Sequence, residues 1–417
     1  MDTSTALVLI SVAVLLSYWY LHLGRQLRFP AVVFLLLTGL ALRAGADFAG
    51  WQVDVPPGLL PVLGTVGLIL IVLEGALDLK LSPGRRAFLW RTFGAAALGV
   101  VVTAAAVALP VKYLFELSWM HAVLVAMPFA VISSAVAIPS AQGLSPHDRE
   151  FVIYESSWSD ILGVMLFNAA LVAVTSGQGF TLNLVGGGLA VLLLGGLLGL
   201  GMIWLVGHLQ GHVKFLPLIF ALILVYGAAK ALSLSPLLIV LVLGLMLNNP
   251  QLLEQVKGLR QLHSARYDAE LDKLKHLTAE ATFLVRTFFF LLLGFGTDLR
   301  SLVDLGAWGL AILLSALIFG LRWPLMRLLS GSGARPLAWA APRGLITVLL
   351  FFSIPPQLVP AGFPVAALIL LVLISCIAMA VGFRIDGPQP ASGQVDAAAV
   401  PGDPAAEAAS PPSGTRA

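Results

Sequence analysis

Long apolar runs separated by short polar segments make up most of this chain. Many of the runs contain about 17–25 residues, which is the length that a helix needs to cross about 30 Å of hydrocarbon. The pattern therefore predicts an all-α integral membrane protein with about thirteen transmembrane helices. The predicted helices span residues 5–23, 30–46, 57–79, 92–112, 119–141, 151–175, 182–206, 215–233, 235–248, 279–297, 306–328, 337–355 and 363–384.

Two segments differ from this pattern in composition. In residues 249–278 the charges alternate in sign and the leucines recur at the spacing of an amphipathic helix, which predicts a connection on the cytoplasmic membrane surface. Residues 386–417 are rich in Pro, Ala, Gly and Ser without an apolar period, which predicts a disordered cytoplasmic tail. We therefore expect residues 1–385 to form a single transmembrane domain.

Composition and charge exclude several classes of protein. Hydrophobic residues make up 59% of the chain and charged residues only 11%, whereas charged residues make up about 25% of a soluble domain. We therefore expect membrane lipid around the chain. The net charge of +3 is spread over short loops, so we expect no nucleic-acid partner. The single cysteine, Cys376, excludes an internal disulfide framework.

Basic residues are concentrated in alternate loops of this arrangement. Because such residues accumulate on the cytoplasmic side, we expect a multi-pass protein of the inner cell membrane with its N-terminus outside and its C-terminus in the cytoplasm. The opposite loops hold Lys112 and Arg300, with Arg43 near a helix end. The loops placed in the cytoplasm hold Arg25, Arg28, Lys80, Arg85, Arg86, Arg91, Arg149, Lys214, Lys257, Arg260, Arg266, Lys273, Lys275, Arg327, Arg335 and Arg384.

An internal repeat is indicated by two similar helix ends. Residues 73–80 and 293–300 both contain a glycine, and they have a small residue, an Asp-Leu pair and a cation at matching offsets. The predicted helices of residues 30–175 thus recur in residues 235–384. Corresponding helices are seven positions apart in the order of helices, which is an odd number, so the copies have opposite orientations in the membrane. Inverted repeats of this kind are typical of secondary transporters, which bind substrate at mid-membrane between broken helices.

Prolines indicate where two helices are broken. The fifth predicted helix contains Pro128 and Pro139, and the twelfth contains Pro342. A proline inside a span leaves backbone carbonyls unpaired, which is tolerated at membrane depth only where they line a cavity or find partners. We therefore predict two crossed, unwound helices, with Ser133 and Ser134 in the first of them. An ordinary kink with serines bonded to their own helix is the alternative.

The sixth predicted helix carries a polar run, Glu155-Ser156-x-x-Ser159-Asp160, in an otherwise apolar segment. A charged group near the bilayer centre costs about 2.5–3.5 kcal/mol on insertion scales, so a carboxylate there indicates a function. Its oxygens share one flank of the helix and suit a small hard cation. Asp160 is the predicted binding group for a monovalent cation or a proton, and Ser156, Ser133 and Ser159 are candidate further ligands. A structural acid paired with an arginine is the alternative.

These residues together resemble those of the monovalent cation:proton antiporters, the sodium/proton exchanger family, over residues 5–384. Residues 155–160 are similar to the family's Glu-Ser-x-x-Asn-Asp, residues 133–137 take the place of its Thr-Asp-Pro-Val-Ala, and residues 342–344 resemble its Arg-Gly; Arg322 falls where the eleventh helix has a basic residue. The resemblance implies a core bundle beside a dimerisation or scaffold bundle, a homodimer, and exchange of a cation for H⁺. We expect no cofactor beyond the transported ions.

Two positions depart from the family pattern. Ser159 stands where the family has Asn, or Asp in its electrogenic branch, and Ser134 stands where many members have a carboxylate. Asp160 is then the single candidate ion-binding carboxylate. We therefore expect an electroneutral exchange of one cation for one proton, with Na⁺ or Li⁺ as the cation and K⁺ also open.

The remaining charges in the predicted spans receive structural roles. An unpaired buried charge is too costly to retain, so each needs a partner. Glu155 is expected to form an ion pair with Arg322, and Arg343 to compensate charge where the broken helices cross. Glu74 and Arg286 are a further candidate pair at a helix interface.

The predicted mechanism is competition between the cation and the proton for Asp160, with one helix bundle moving to expose the site to either side. A sodium-coupled symporter of a small organic anion is the main alternative, although few unassigned polar side chains in the spans are left to bind such a substrate. An enzyme that uses Glu155 and Asp160 as a catalytic pair is a further alternative, but no accompanying motif supports it.

Overall fold

The computed structural model describes residues 3–27, 29–50, 59–81, 83–177, 179, 186, 188–208, 215–231, 236–252, 265–330 and 334–386. Within these ranges the ordered elements are helical and no strand occurs. The α-helices are, in chain order, α1 Thr3–Leu27, α2 Ala31–Phe48, α3 Leu59–Asp78, α4 Arg86–Leu114, α5 Trp119–Ala130, α6 Ser134–Ser140, α7 Pro146–Ser176, α8 Gly188–His208, α9 Phe215–Ala231, α10 Pro236–Asn248, α11 Ala265–Phe295, α12 Leu305–Ser330, α13 Ala334–Trp339, α14 Leu345–Phe352 and α15 Ala366–Asp386.

The described helices confirm an all-α, multi-pass membrane protein. Eight segments among them are long and apolar enough to cross a membrane, and three shorter apolar helices accompany them. The helices begin and end within a few residues of most predicted boundaries, because the length of an apolar run limits the length of a span. The total of thirteen spans stays a prediction.

Local capping explains where the helices of the central region begin and end. Ser118 precedes α5, and its side chain accepts a hydrogen bond from the backbone N–H of His121. Ser145 caps α7 in the same way, and Pro146 occupies the first helical position, where its missing N–H costs nothing. At the other end, Gly177 adopts φ 68° and ends α7 in the left-handed conformation.

The helices pack as two bundles. The helices α1, α2, α3, α8, α9, α10 and α11 pack mainly against one another and form what we call the scaffold bundle. The remaining helices, α4–α7 and α12–α15, form what we call the core bundle. Helix α7 of the core bundle contacts α3 and α10 of the scaffold bundle, and α14 contacts α3. One continuous apolar cluster of buried side chains runs through both bundles.

Two helix crossings of the scaffold bundle are built around glycines, and the predicted repeat stays a prediction. Helices α2 and α11 meet at Gly39 and Gly294, where a Cβ on Gly39 would lie 3.0 Å from the Gly294 Cα. Helices α10 and α3 meet at Gly244 and Ala76, where a Cβ on Gly244 would lie 2.7 Å from the Ala76 Cβ. At both crossings a glycine, Gly39 or Gly244, lies where only a residue without a side chain permits the close approach.

The start of α11 differs from the prediction. This helix begins at Ala265, whereas the sequence placed its start at 279 and assigned residues 249–278 to a surface connection. Tyr267, Leu271 and Leu274 are buried against the bundle, and the Tyr267 hydroxyl donates to the Leu247 carbonyl at 2.7 Å. Residues 253–264 and 387–417, including nearly all of the predicted tail, lie outside the described residues.

Candidate functional site

Two interrupted helices meet in the middle of the core bundle. Residues 131–133 separate α5 from α6, and residues 340–344 separate α13 from α14. The backbone N–H of Ser133 donates to the Pro342 carbonyl at 3.0 Å, so the two unwound segments touch through their main chains. The break of the first helix lies between Pro128 and Pro139, and Pro342 lies within the break of the second.

Arg343 lies at this crossing with 1% of its surface exposed. Its Nη1 donates to the Ala130 carbonyl at 3.1 Å, at the C-terminus of α5, and its backbone N–H donates to Ser375 Oγ at 2.9 Å. Carbonyls at a helix C-terminus carry partial negative charge, which a guanidinium compensates. Arg343 thus occupies the position expected for charge compensation at the broken helices.

Asp160 faces the crossing from α7 and is 5% exposed. Its Oδ2 accepts a hydrogen bond from the Ser134 hydroxyl. Its Oδ1 is buried and has no hydrogen-bond partner in the described part of the chain. A small cavity lined by Asp160, Ser157 and Gly75 adjoins the carboxylate. Ser134 therefore satisfies one carboxylate oxygen, and the described residues leave the other unsatisfied.

The three other predicted ligand serines have different environments. Ser159 Oγ accepts the Ile132 backbone N–H at 3.0 Å, so it satisfies a donor that the unwound segment exposes. Ser156 donates to the Ile153 carbonyl of its own helix at 3.2 Å. Ser133 has a buried hydroxyl without a partner among the described residues. Its carbonyl accepts the N–H groups of Val136 and Ala137 in the first turn of α6.

The expected pair of Glu155 and Arg322 is present. Arg322 Nη1 and Nη2 donate to the two Glu155 oxygens at 2.9 and 2.8 Å, and Arg322 Nε donates to the Leu337 carbonyl at 3.0 Å. The Glu155 side chain is 1% exposed and the Arg322 side chain 5%. Such a two-point contact fixes orientation as well as distance. It ties α7 to α12, within the core bundle.

Glu74 and Arg286 do not form a direct ion pair within 4.0 Å, although their charges act on each other. Arg286 Nη1 donates instead to the Ala135 carbonyl of α6 at 2.8 Å. The Thr282 hydroxyl, on the same helix as Arg286, donates to the Thr278 carbonyl at 2.8 Å. The expected pairing at the helix interface is therefore replaced by a contact between α11 and α6.

A comparison with known families matches residues 10–384 to the transmembrane sodium/hydrogen exchangers. The chain belongs to the sodium/hydrogen exchanger family. This match confirms the resemblance that the motifs indicated, and it places the chain in a family of transporters. Cation and proton substrates fit this family.

Individual relatives agree with this assignment. The K⁺/H⁺ antiporter NhaP2 of Shewanella oneidensis is 25% identical over 378 residues, covering 87% of this chain and 61% of that protein. The chain thus spans about three-fifths of that relative's length. Two structures of the sodium proton antiporter MjNhaP1 from Methanocaldococcus jannaschii share the fold. The structure at pH 8 has a TM-score of 0.67 at 20% identity, covering 91% of this chain and all of that one. An electron microscopy structure has 0.69 at 19%, covering 92% and 97%.

The sequence did not predict which side chain contacts the Asp160 carboxylate. Ser134 was assigned only to the unwound helix, yet it is the side chain that donates to Asp160. No role was predicted for Ser157, which lines the cavity beside Asp160 and whose buried hydroxyl has no partner among the described residues. The spacing of Ser157 and Asp160, three residues apart on a helix, was the available signal for Ser157.

Proposed function

We propose that this exchanger carries a monovalent cation, Na⁺ or Li⁺ with K⁺ also open, in one direction and H⁺ in the other. The observation that carries the proposal is the Asp160 carboxylate, which is buried with Oδ1 unpartnered among the described residues, in a run that resembles the family's Glu-Ser-x-x-Asn-Asp. A buried carboxylate without a compensating charge is costly, so it favours binding either a proton or a cation. The two ligands then compete for one group.

The neighbouring side chains divide the remaining roles. Ser134 holds one oxygen of Asp160 and orients the other. Ser133, whose hydroxyl is unpartnered in the described residues, is the next candidate oxygen ligand. Ser159 supports the unwound backbone at Ile132, and Ser156 contributes least because its hydroxyl bonds to its own helix. Glu155 stays with Arg322 and does not take part in the exchange.

Alternating access fits the arrangement of the two bundles. The core bundle contains Asp160 and both interrupted helices, and its main contacts with the scaffold bundle are made by α7 and α14. Movement of the core bundle against the scaffold bundle would expose Asp160 to either side in turn. With one carboxylate, each cycle exchanges one cation for one proton and moves no net charge, so the membrane potential does not act on it.

We also propose an oligomeric state, a membrane and an orientation for the protein. The protein works as a homodimer in the inner cell membrane, with its N-terminus outside and its C-terminus in the cytoplasm. The distribution of basic loop residues supports the orientation, and the family resemblance supports the dimer. No chemical reaction and no cofactor is assigned to the chain.

The direct test is Asp160→Asn in everted membrane vesicles that carry a pH gradient and a pH-sensitive dye. The amide keeps the size of the side chain and removes its ability to exchange a proton, so cation addition is expected to leave the gradient intact. Asp148→Asn is the matched control, because Asp148 lies in the first turn of the same helix and caps it with Ser145. Exchange by the Asp160 variant at the control's rate would remove Asp160 from the mechanism.

A further inference from the structure

A second cavity lies between the two bundles, on the other side of α6 from the site. Its volume is about 240 Å³, which holds several water molecules. Ser17 and Leu35 line it from the scaffold helices α1 and α2, and Ala135 and Pro139 line it from the core half-helix α6. Neither Ser134 nor Asp160 lines this cavity, so the first turn of α6 lies between it and the candidate site.

Arg286 occupies the point where this cavity approaches the site. It lines the cavity from α11 of the scaffold bundle, and its Nη1 reaches across to the Ala135 carbonyl of the core bundle. Ala135 directly follows Ser134, the residue that donates to Asp160. A single hydrogen bond therefore joins the scaffold bundle to the turn that positions the ion-binding carboxylate.

Glu74 is a charged group that interacts with both Arg286 and Asp160. Arg286 and Glu74 act on each other, and Glu74 acts on Asp160. Gly75, the next residue after Glu74, lines the small cavity that contains Asp160. Glu74 and Gly75 therefore connect Arg286, which lines the large cavity, with the small cavity beside Asp160.

We propose that Arg286 is a positioning residue that closes the path between the large cavity and Asp160, by clamping the first turn of α6 to α11. The clamp belongs to one access state, because movement of the core bundle relative to the scaffold bundle separates Ala135 from Arg286. Release of the clamp opens the path and frees the turn that holds Ser134. The consequence for transport rests on the proposed exchange function, whereas the closure itself is a property of the fold.

Closure is measured by the reactivity of a cysteine placed beside Asp160. Cys376 is the single cysteine of the chain and is buried, so Cys376→Ser gives a background without thiols. Gly75→Cys then places a thiol in the small cavity, where a Cβ on Gly75 meets no atom within 4 Å. Everted vesicles expose the cytoplasmic side to two methanethiosulfonate reagents of small size, one neutral methyl and one cationic ethylammonium.

Arg286→Met removes the clamp, and Arg286→Lys keeps a cationic donor in its place. We expect the Met variant to react at least about tenfold faster than the parent with both reagents, and the Lys variant to stay within about threefold. Ser140→Cys, at the lining of the large cavity, is the control thiol and is expected to react at the same rate with or without the clamp. Arg286→Gln replaces the Met variant if the latter does not reach the membrane.

Two results would overturn the proposal. Equal rates for the parent and the Met variant with the neutral reagent would mean that Arg286 closes nothing. Faster reaction with the cationic reagent alone would mean that Arg286 acts through its charge and not as a clamp. Both readouts are independent of transport, so a failure of Asp160 as the exchange group would leave the labelling result unaffected.

Discussion

Glu155 and Asp160 are two buried carboxylates five residues apart on α7, and their surroundings are opposite. Both oxygens of Glu155 accept hydrogen bonds from Arg322, whereas Asp160 accepts from Ser134 with one oxygen and has the other unpartnered in the described residues. The exposed fractions, 1% and 5%, hardly differ. Burial therefore does not distinguish the two carboxylates, whereas their partners do, and on this difference we propose a structural role for Glu155 and ion binding for Asp160.

The difference has an energetic reason. A buried ion pair with good geometry is satisfied, and removing one partner leaves an uncompensated charge. A buried carboxylate with an open oxygen is unsatisfied by the protein and acquires a proton or a cation from outside. Glu155 is thus expected to contribute to folding and Asp160 to transport, and substitutions at the two positions should separate these contributions.

The largest expected effect is on stability at Glu155. Glu155→Gln leaves the Arg322 guanidinium buried without its counter-charge, which costs about 3–5 kcal/mol. Asp160→Asn removes a buried charge and leaves no cation unpaired, so stability should stay equal or rise. Thermal unfolding of the two purified variants in detergent measures the contrast. Equal lowering of both midpoints would show that the two acids have the same structural role.

The next effect is on cation affinity at Ser134. Ser134→Ala removes a donor to the charged form of Asp160, and a hydrogen bond to a charged group contributes about 1.5–3 kcal/mol. The cation concentration for half-maximal exchange is therefore expected to rise about tenfold or more, with the maximal rate less affected. Ser156→Ala is the matched control, because its hydroxyl bonds to its own helix, and its affinity should change by less than about twofold. An equal change in both variants would exclude Ser134 as the positioning group.

The sequence predicted the helices and the broken segments with little error. An apolar run as long as residues 366–386 matches the thickness of the hydrocarbon layer, so its length alone indicates a membrane-spanning helix. Prolines 128, 139 and 342 correctly indicated the two interrupted helices, since a missing N–H limits how a span can pair its backbone. The pairing of Glu155 with Arg322 followed because a buried charge needs a partner.

The contacts at the site were harder to predict than the helices. Ser134 and Ser156 are both buried serines in segments that resemble motifs of the family. Side-chain direction decides which of the two hydroxyls reaches the Asp160 carboxylate. Ser134 reaches it because the break at residues 131–133 reorients α6. The contact of Arg286 with Ala135 joins residues 151 positions apart. Because the partner of Arg286 is a backbone carbonyl, the residue type at position 135 does not indicate this contact. The start of α11 at Ala265 was missed because a charged helix end resembles a surface helix.

The central claim is that a proton and a cation occupy Asp160 in turn. Purified protein in proteoliposomes allows the half-saturating concentration of Na⁺, Li⁺ and K⁺ to be measured across a pH series. Competition by one proton predicts that, at the acidic end, apparent cation affinity falls about tenfold for each unit of pH. An affinity that is independent of pH for every cation that supports exchange would contradict the account.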